Sequence, residues 1–346
     1  MNITMKNMRE WLNEIKETNP KKAMPVLSFP GMQLIGTDVD KLVRSGKLQA
    51  DCMKAIADEY DTLASVSLMD LSVEAEAFGS SILYSDDEVP TVVGRIIETQ
   101  EDADNLKIPA VGDMRTGEYV KTIEYASKLI TDRPVLAGAI GPFSLSGRLM
   151  DMSEIMVACM IEPELVATIL EKATAFIIEY VLAFKKAGAG GVVLAEPAAG
   201  LLSPDLNRIF SVPYVKRIVD AVSDDNFTVV YHNCGNTIPL INDILTIGAG
   251  IYHFGNAIKM DEMLKLVPGD VLVSGNIEPS GQFRNGTKES ITAATTDMME
   301  RCARYSNFIP SSGCDIPPQT AHSQIRAFFD AIDSFYDSDS DDLQSA

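Results

Sequence analysis

An apolar run ends in two candidate metal ligands at Val229-Val230-Tyr231-His232-Asn233-Cys234. Its first residues are β-branched or aromatic and do not alternate with polar ones, which predicts a strand covered on both faces, as in a parallel sheet wrapped by helices. Side chains alternate along a strand, so His232 and Cys234, two residues apart, point to the same side at its end. The stretch therefore predicts a parallel α/β fold with a histidine and a cysteine together at one strand end.

Similar apolar runs recur along the chain, and nearly all are followed by a longer segment of helical periodicity. The eight predicted strands are residues 24–29, 62–69, 135–140, 191–196, 228–233, 251–255, 270–275 and 308–313. Strand and helix alternating eight times is typical of a (β/α)8 TIM barrel, although an open doubly wound sheet gives a similar periodicity. Such a barrel needs about 250 residues and tolerates insertions. We therefore predict a single barrel for this chain of 346 residues.

The segment between the second and third predicted strands, residues 71–133, interrupts the alternation. It contains a predicted hairpin around residues 78–93 and two further helices, and an insertion at this end of a barrel overhangs the active site. At the carboxyl end, residues 337–346 interleave aspartates with serines, which predicts a disordered acidic tail. We expect one barrel domain over residues 1–336. The other predicted helices are residues 39–60, 162–187, 206–222, 236–246, 288–304 and 320–334.

Composition and charge exclude several classes of function. The chain has 49 acidic and 29 basic residues, and its formal charge of −20 repels phosphate backbones, so we expect no nucleic-acid partner. Residues 1–17 contain no uninterrupted apolar stretch of the signal-peptide type. Charged residues interrupt the most apolar region, residues 176–202, so we expect no membrane span either. The sequence predicts a cytoplasmic protein and leaves open whether it forms a homo-oligomer.

Cysteine usage points to metal binding or plain burial. The five cysteines are an odd number and widely spaced, which argues against a disulfide framework. Cys314 follows the last predicted strand, and the carboxyl ends of parallel barrel strands meet at one rim, so Cys314 converges with His232 and Cys234. Three nitrogen and sulfur ligands with a vacancy describe a catalytic zinc site, whereas structural sites take four. The alternative is a hydrogen-bonded rim histidine with two small buried cysteines.

Six motifs carry a family resemblance. They are residues 70–79 (DLSVEAEAFG), 195–197 (AEP), 202–204 (LSP), 232–237 (HNCGNT), 275–279 (GNIEP) and 313–318 (GCDIPP). Together they span nearly the whole chain, and the first, fourth and last are the specific ones. With these motifs the sequence resembles the uroporphyrinogen decarboxylase superfamily, and within it the zinc-dependent corrinoid methyltransferases, which include methylcobamide:coenzyme M methyltransferases.

This resemblance implies a barrel in which His232, Cys234 and Cys314 hold Zn²⁺ and the open position receives a methyl donor or acceptor. It implies transfer of a methyl group between a corrinoid, such as methylcobalamin, and a zinc-bound substrate. We favour a thiol such as coenzyme M over a methoxylated compound, because two anionic sulfurs make zinc a weak Lewis acid that can hold a thiolate without quenching it. Corrinoid-binding modules of the base-off type use Asp-x-His-x-x-Gly, and no histidine here has an aspartate two residues before it. We therefore expect the corrinoid to arrive on a partner protein that docks over the barrel mouth.

Two further alternatives stay open. The decarboxylases of the superfamily use no metal and bind a substrate with many carboxylates through an arginine-rich amino-terminal segment. Residues 18–42 here contain three lysines and no arginine, which argues against that activity, although Asp70 falls about where that family's essential aspartate would lie. A non-catalytic zinc barrel that serves as a subunit of a methyltransfer complex is the other alternative.

Other polar residues are candidates for the same rim. Glu196 ends an apolar strand, where an unpaired buried charge would be costly, so we predict that it is a fourth zinc ligand or contacts substrate; a structural partner for backbone or lysine is the equal alternative. We assign catalytic roles to Glu196 and Asp70, and we expect Glu76 to face solvent. His253 and His322 are predicted to be structural. The candidate substrate-binding residues are Glu74, Asn256, Asn276 and Met32.

Overall fold

The computed structural model describes residues 7–344. Within that range seven strands form one parallel sheet whose spatial order is their chain order, and two others pair as an antiparallel hairpin. The strands are β1 Ser65–Val66, β2 Ser81–Leu83, β3 Thr91–Val93, β4 Val135–Ile140, β5 Gly191–Ala195, β6 Thr228–Asn233, β7 Ile251–Phe254, β8 Leu272–Ile277 and β9 Phe308–Ser312. Apart from β2 and β3, which form the hairpin, each strand pairs in parallel with the next, as in a TIM barrel, which confirms the predicted fold class.

Helices lie between the strands, as the periodicity predicted. They are α1 Met8–Glu17, α2 Gly31–Ile35, α3 Val39–Val43, α4 Gly46–Glu59, α5 Val73–Ala77, α6 Gln100–Asn105, α7 Thr116–Leu129, α8 Pro142–Met150, α9 Met152–Ile161, α10 Pro163–Ala187, α11 Pro204–Phe210, α12 Val212–Val222, α13 Ile241–Ile244, α14 Met260–Leu266, α15 Lys288–Cys302 and α16 His322–Gln344. Short 3₁₀ turns are Pro197–Leu201, Ile238–Leu240 and Leu245–Ile247, and Pro279–Arg284 is a π-turn. No helix in residues 7–344 combines the length and apolar composition needed to cross a bilayer.

The segment predicted as the first strand, residues 24–29, is not a strand in the structure. It still lies between the two edge strands of the sheet. The N–H of Met24 donates to the carbonyl of Pro310 in β9 at 2.9 Å. Just before β1, the N–H of Leu63 donates to the carbonyl of Ala23 at 2.8 Å. This segment therefore closes the barrel with single hydrogen bonds in place of a full ladder.

Proline and serine explain why the ladder is incomplete here. Pro25 has no N–H to donate. On either side of it, serine side chains replace backbone partners: Ser311 Oγ donates to the Met24 carbonyl at 2.7 Å, and the Val26 N–H donates to Ser312 Oγ at 3.0 Å. The hydrophobic run of residues 24–29 was correctly placed in the barrel, but its strand assignment was wrong because the pairing runs through side chains.

Two apolar layers alternate along each strand. The barrel interior is filled by side chains from alternate strand positions, together with those of α1, and its buried members are Met8, Trp11, Ile15, Met24, Val26, Ala64, Val66, Met69, Leu136, Val193, Ala195, Val230, Ile251, Leu272 and Ile309. The intervening positions, such as Val192 and Leu194 of β5, pack with the surrounding helices in a second cluster. The direction of each rim residue follows from this alternation.

The insertion between β1 and β4 contains the predicted hairpin, formed by β2 and β3, and the two predicted helices, α6 and α7. At the other end of the chain, α16 continues through Gln344, so residues 337–344 are helical where composition predicted disorder. Once the earlier turns of a helix are formed and packed, each added residue gains a backbone hydrogen bond, which extends the helix. Residues 345 and 346 of the predicted tail lie outside the described residues.

Candidate metal centre

Three side chains converge at the carboxyl ends of β6 and β9. In β6, Val230 faces the barrel interior, so His232 and Cys234 continue that inward set. Cys314 arrives from the loop after β9, and one donor atom from each of the three residues lies within 4.8 Å of the others. Cys314 Sγ is 3.4 Å from His232 Nε2. Zinc–sulfur and zinc–nitrogen bonds of about 2.3 and 2.0 Å place tetrahedral ligands about 3.5 Å apart, so this donor set fits zinc.

Glycines allow the strand ends to approach one another around Cys234. A Cβ on Gly255 would lie 2.6 Å from the Cα of Cys234 and 3.0 Å from the carbonyl oxygen of Gly313. On Gly313 it would lie 3.0 Å from the N of Asn256. Real Cβ atoms rarely approach backbone this closely, so side chains at these two positions would push the loops apart. The close convergence of the two cysteines therefore depends on the absence of side chains here.

The two cysteines differ in acidity. The hydrogen bond from the thiol of Cys314 lowers the pKa of Cys234 well below its usual value despite its partial burial. The neighbouring thiolate and burial raise the pKa of Cys314 well above its usual value. Within the pair, Cys234 is therefore the more acidic cysteine. A thiolate, not a thiol, is the form of cysteine that binds metals.

His253 adjoins His232 on the neighbouring strand, although it was predicted to be only structural. The two residues are register partners in the β6–β7 ladder, and their Nδ1 atoms are 2.7 Å apart. The other nitrogen of His253, Nε2, is 2.9 Å from Ser311 Oγ, which in turn donates to the Met24 carbonyl at 2.7 Å. A buried histidine in the strand next to a predicted ligand was the available signal, but only the strand order makes the two residues neighbours.

Glu196 points away from the group of three donors. Its predecessor Ala195 faces the barrel interior, so Glu196 faces the helices. Its carboxylate accepts from the N–H groups of Phe143 at 3.0 Å and Ser144 at 2.6 Å, at the start of α8. Burial raises the pKa of Glu196 to about 7. In this structure the carboxylate caps a helix. It therefore acts as a partner for backbone N–H groups, which is one of the two roles considered for Glu196 from the sequence.

Asp70 belongs to a buried ion-pair network. Arg115, at the start of α7, contacts the carboxylates of both Asp70 and Glu76, and its Nε is 2.6 Å from Glu76 Oε2. Asp70 also accepts from Ser72 Oγ at 2.6 Å and Tyr119 Oη at 3.0 Å. The prediction that Glu76 faces solvent was wrong, because the insertion brings an arginine onto it. Nothing in the local sequence indicated Arg115 as the partner.

The four candidate substrate-binding residues lie in different environments. Glu74 is buried; one carboxylate oxygen accepts from the Ile140 N–H at 3.0 Å, and the other has no hydrogen-bond partner in the described part of the chain. Asn276 is half-buried, and its amide donates to the carbonyls of the loop after β7. Asn256 is exposed beside Gly313. Met32 packs within the outer apolar layer. Within the described residues, one oxygen of Glu74 is therefore unpaired, and Asn256 is exposed to solvent.

Comparison with known proteins assigns the family. The model of the family described as uroporphyrinogen decarboxylase (URO-D) matches residues 19–335. The chain belongs to the uroporphyrinogen decarboxylase family. This confirms the resemblance drawn from the six sequence motifs.

Relatives within the family carry two different names. The methylcobamide:CoM methyltransferase MtbA of Methanosarcina mazei is 26% identical over 94% of this chain and 98% of its own length. The protein of the same name from Methanosarcina acetivorans is 24% identical over 77% of this chain and 78% of its own length. A uroporphyrinogen decarboxylase of Desulfotalea psychrophila is 26% identical over 83% of this chain and 85% of its own length. Overall identity does not separate the two branches.

A solved structure supports the fold. The methyltransferase from Methanosarcina mazei superposes with a TM-score of 0.84 at 22% identity, covering 94% of this chain and 97% of that one. A B12-independent methionine synthase from Shewanella sp. W3-18-1 superposes with a TM-score of 0.54 at 16% identity, covering 94% of this chain and 97% of that one. Because the uroporphyrinogen decarboxylase family contains more than one activity, the site residues have to discriminate between them.

Proposed function

We propose that this protein is a zinc-dependent methyltransferase that moves a methyl group from a corrinoid protein to a thiol such as coenzyme M. The observation that carries the proposal is the convergence of one imidazole and two cysteine sulfurs within 4.8 Å at the barrel mouth. Three such ligands leave a position for substrate, which is typical of catalytic zinc. The names of the Methanosarcina relatives support the same reaction.

The protein's own residues set the charge of this site. Two thiolates, from Cys234 and Cys314, and the neutral imidazole of His232 balance the charge of a divalent cation. A zinc ion held by them would act as a Lewis acid that keeps a substrate thiol deprotonated near neutral pH. Because the site is already charge-balanced, an added thiolate stays electron-rich. This ligand set therefore suits activation of a thiol better than polarisation of an ether oxygen.

The transfer itself is a displacement at carbon. The substrate thiol releases its proton to solvent, and its sulfur attacks the methyl carbon carried by cobalt(III). The carbon–sulfur bond forms as the cobalt–carbon bond breaks, and cobalt(I) leaves with the bonding electron pair. None of the three histidines of the chain lies in a corrinoid-binding motif. We expect the corrinoid protein to dock over the mouth beside the insertion of residues 71–133.

Stopped-flow absorbance tests this proposal. Zinc-loaded protein is mixed with free methylcobalamin and coenzyme M, and the appearance of cobalt(I) is followed. We expect thiol-dependent demethylation that disappears in Cys314→Ser and persists in Cys302→Ser, where the buried cysteine lies in α15. Zinc-dependent methylation of cobalt(I) by an aryl methyl ether, with all thiols inert, would instead assign the protein to the demethylation of methoxylated compounds. Absence of both reactions would favour a non-catalytic zinc barrel.

The same preparation tests the decarboxylase alternative. We expect no conversion of uroporphyrinogen to coproporphyrinogen, because the segment of residues 18–42 has no arginine to pair with the substrate carboxylates. Leaving even one carboxylate desolvated and unpaired costs several kcal/mol. Asp70 is also already paired with Arg115. Turnover at an enzyme-like rate, measured by chromatography of the oxidised porphyrins, would overturn the methyltransferase proposal.

A further inference from the structure

His253 is a buried polar residue that the proposed reaction does not yet use. It lies in β7 with 1% of its surface exposed, and its ring centroid is 4.7 Å from that of His232, at an interplanar angle of 60°. In the described part of the chain, neither of its ring nitrogens has a carboxylate partner. An ionised imidazole would be costly in this setting, so the ring is neutral. One of its nitrogens then carries a hydrogen and the other a lone pair.

The positions of the hydrogens on the two imidazole rings follow from the hydrogen bond to the Met24 carbonyl, where the series of contacts ends. The Met24 carbonyl can only accept, so Ser311 donates its hydroxyl hydrogen to this carbonyl, at an oxygen–oxygen distance of 2.7 Å. Ser311 Oγ must therefore accept at its other contact, and the donor is Nε2–H of His253, 2.9 Å away. Neutral His253 then presents a lone pair at Nδ1. The partner 2.7 Å away, Nδ1 of His232, must be the donor.

This assignment decides which nitrogen of His232 is free to bind a metal. With the hydrogen on Nδ1, the lone pair of His232 lies on Nε2, the nitrogen that faces Cys314 Sγ at 3.4 Å. The opposite tautomer would direct an N–H at the site and remove its only nitrogen ligand. A hydrogen bond to the distal nitrogen also fixes the ring orientation and raises the basicity of the ligand.

We propose that His253 is a positioning residue that holds His232 in the tautomer able to bind zinc, through a chain that runs from the Met24 carbonyl by way of Ser311. The inference rests on the proposed zinc site. It also gives a role to the segment that closes the barrel, because Met24 belongs to residues 24–29. The same serine that replaces a backbone partner in the barrel closure sets the direction of every hydrogen bond up to the metal ligand.

Zinc affinity is the first test. Competition with a chromophoric chelator measures the zinc dissociation constant of full-length variants. We expect His253→Phe to weaken zinc binding about 10- to 100-fold, the usual effect of removing an outer partner of a metal ligand. His253→Asn should recover much of this loss, because its amide oxygen can accept from His232 Nδ1. Ser311→Ala should cause a smaller loss, since it removes the acceptor that orients His253.

His322→Phe is the matched control, because His322 contacts Tyr60 and the Pro30 carbonyl instead of the zinc site. We expect it to leave zinc affinity unchanged. Circular dichroism and thermal melting verify that each variant is folded. Folded His253→Phe with zinc affinity within twofold of the unaltered protein would overturn the inference.

Nitrogen-15 NMR of histidine-labelled, zinc-loaded protein reads the tautomer without any substitution. The chain has three histidines, so the variants assign the signals. We expect a hydrogen on Nδ1 of His232 and metal coordination through Nε2; coordination through Nδ1 would overturn the inference. Failure of the proposed function looks different. If the unaltered protein binds zinc with the expected tautomer but transfers no methyl group, the positioning role stands and the methyltransferase proposal falls.

Discussion

Two clusters of polar residues form at the carboxyl ends of the strands. The polar atoms of one cluster face a common point, whereas the charges of the other are paired with each other. After β6 and β9, the donor atoms of His232, Cys234 and Cys314 face one another. After β1, the carboxylates of Asp70 and Glu76 both pair with the guanidinium of Arg115. Both clusters are largely buried, but only the first leaves lone pairs directed at a common point. A polar residue at a barrel rim therefore marks a candidate site, and its partners decide whether it can bind anything.

The largest expected effect is on the first cluster. Purified protein should contain about one zinc per chain, and the double substitution Cys234→Ser, Cys314→Ser should abolish it, because serine is a poor zinc ligand. The fold should survive, since barrel packing does not depend on one ion at the rim. Elemental analysis and circular dichroism measure the two outcomes.

Buried cysteines elsewhere supply the control for zinc content. Cys159→Ser and Cys302→Ser, in α9 and α15, should retain the metal. Full occupancy in the double variant of Cys234 and Cys314 would remove the distinction between the two clusters, because the metal would then be bound elsewhere.

A substitution in the second cluster should lower the free energy of unfolding and leave the zinc content unchanged. Arg115→Met removes the ion-pair partner of the buried carboxylates of Asp70 and Glu76, and breaking a buried ion pair in this way costs about 3–5 kcal/mol. Zinc content of the folded fraction should not change. Urea denaturation followed by fluorescence measures the free energy of unfolding. A loss below about 1 kcal/mol would mean that the network is solvated and resembles a surface pair.

Glu74 lies close to the second cluster, and its carboxyl group makes the free energy of unfolding depend on pH. Burial raises the pKa of Glu74 to about 7, so the folded state binds more protons than the unfolded state above a pH of about 4.5. The contribution of Glu74 to the free energy of unfolding is fully present below a pH of about 4.5 and is lost as pH rises through about 7. The loss amounts to about 3 kcal/mol at about 1.4 kcal/mol per pKa unit.

Glu74→Gln should remove this component, because glutamine keeps an oxygen that can accept from the Ile140 N–H and does not ionise. Denaturation at a series of pH values measures the slope of stability between pH 5 and 7. Glu124→Gln, at an exposed pair with Lys128 on α7, is the control and should keep the slope of the unaltered protein. An identical slope in Glu74→Gln would show that another group carries it.

The smallest effect is expected at the surface. Arg217 contacts both carboxylate oxygens of Glu171, yet 47% of its side chain is exposed. Arg217→Met should change the free energy of unfolding by less than about 1 kcal/mol, because solvent screens such pairs. Compared with Arg115→Met in the same urea titration, it isolates the contribution of burial. Equal losses in the two variants would contradict the explanation given for the second cluster.

Local sequence was sufficient for much of the first cluster. Strand periodicity placed His232 and Cys234 on one face, and the shared rim of parallel strands added Cys314. The same alternation turns Glu196 toward the helices, since Ala195 faces the interior. These predictions succeeded because they need only the period of a strand and the rule that carboxyl ends of barrel strands meet.

Only the tertiary structure decided the partners. Pairing of β6 with β7 sets His253 against His232, and the path of the insertion carries Arg115 onto Asp70. Serine side chains complete the barrel where the segment of residues 24–29 lacks a ladder. A strand pattern tells which way a side chain points, because that is a property of the local backbone. It does not tell what the side chain meets, because partners 21 to 287 residues apart are brought together only by packing of the whole barrel.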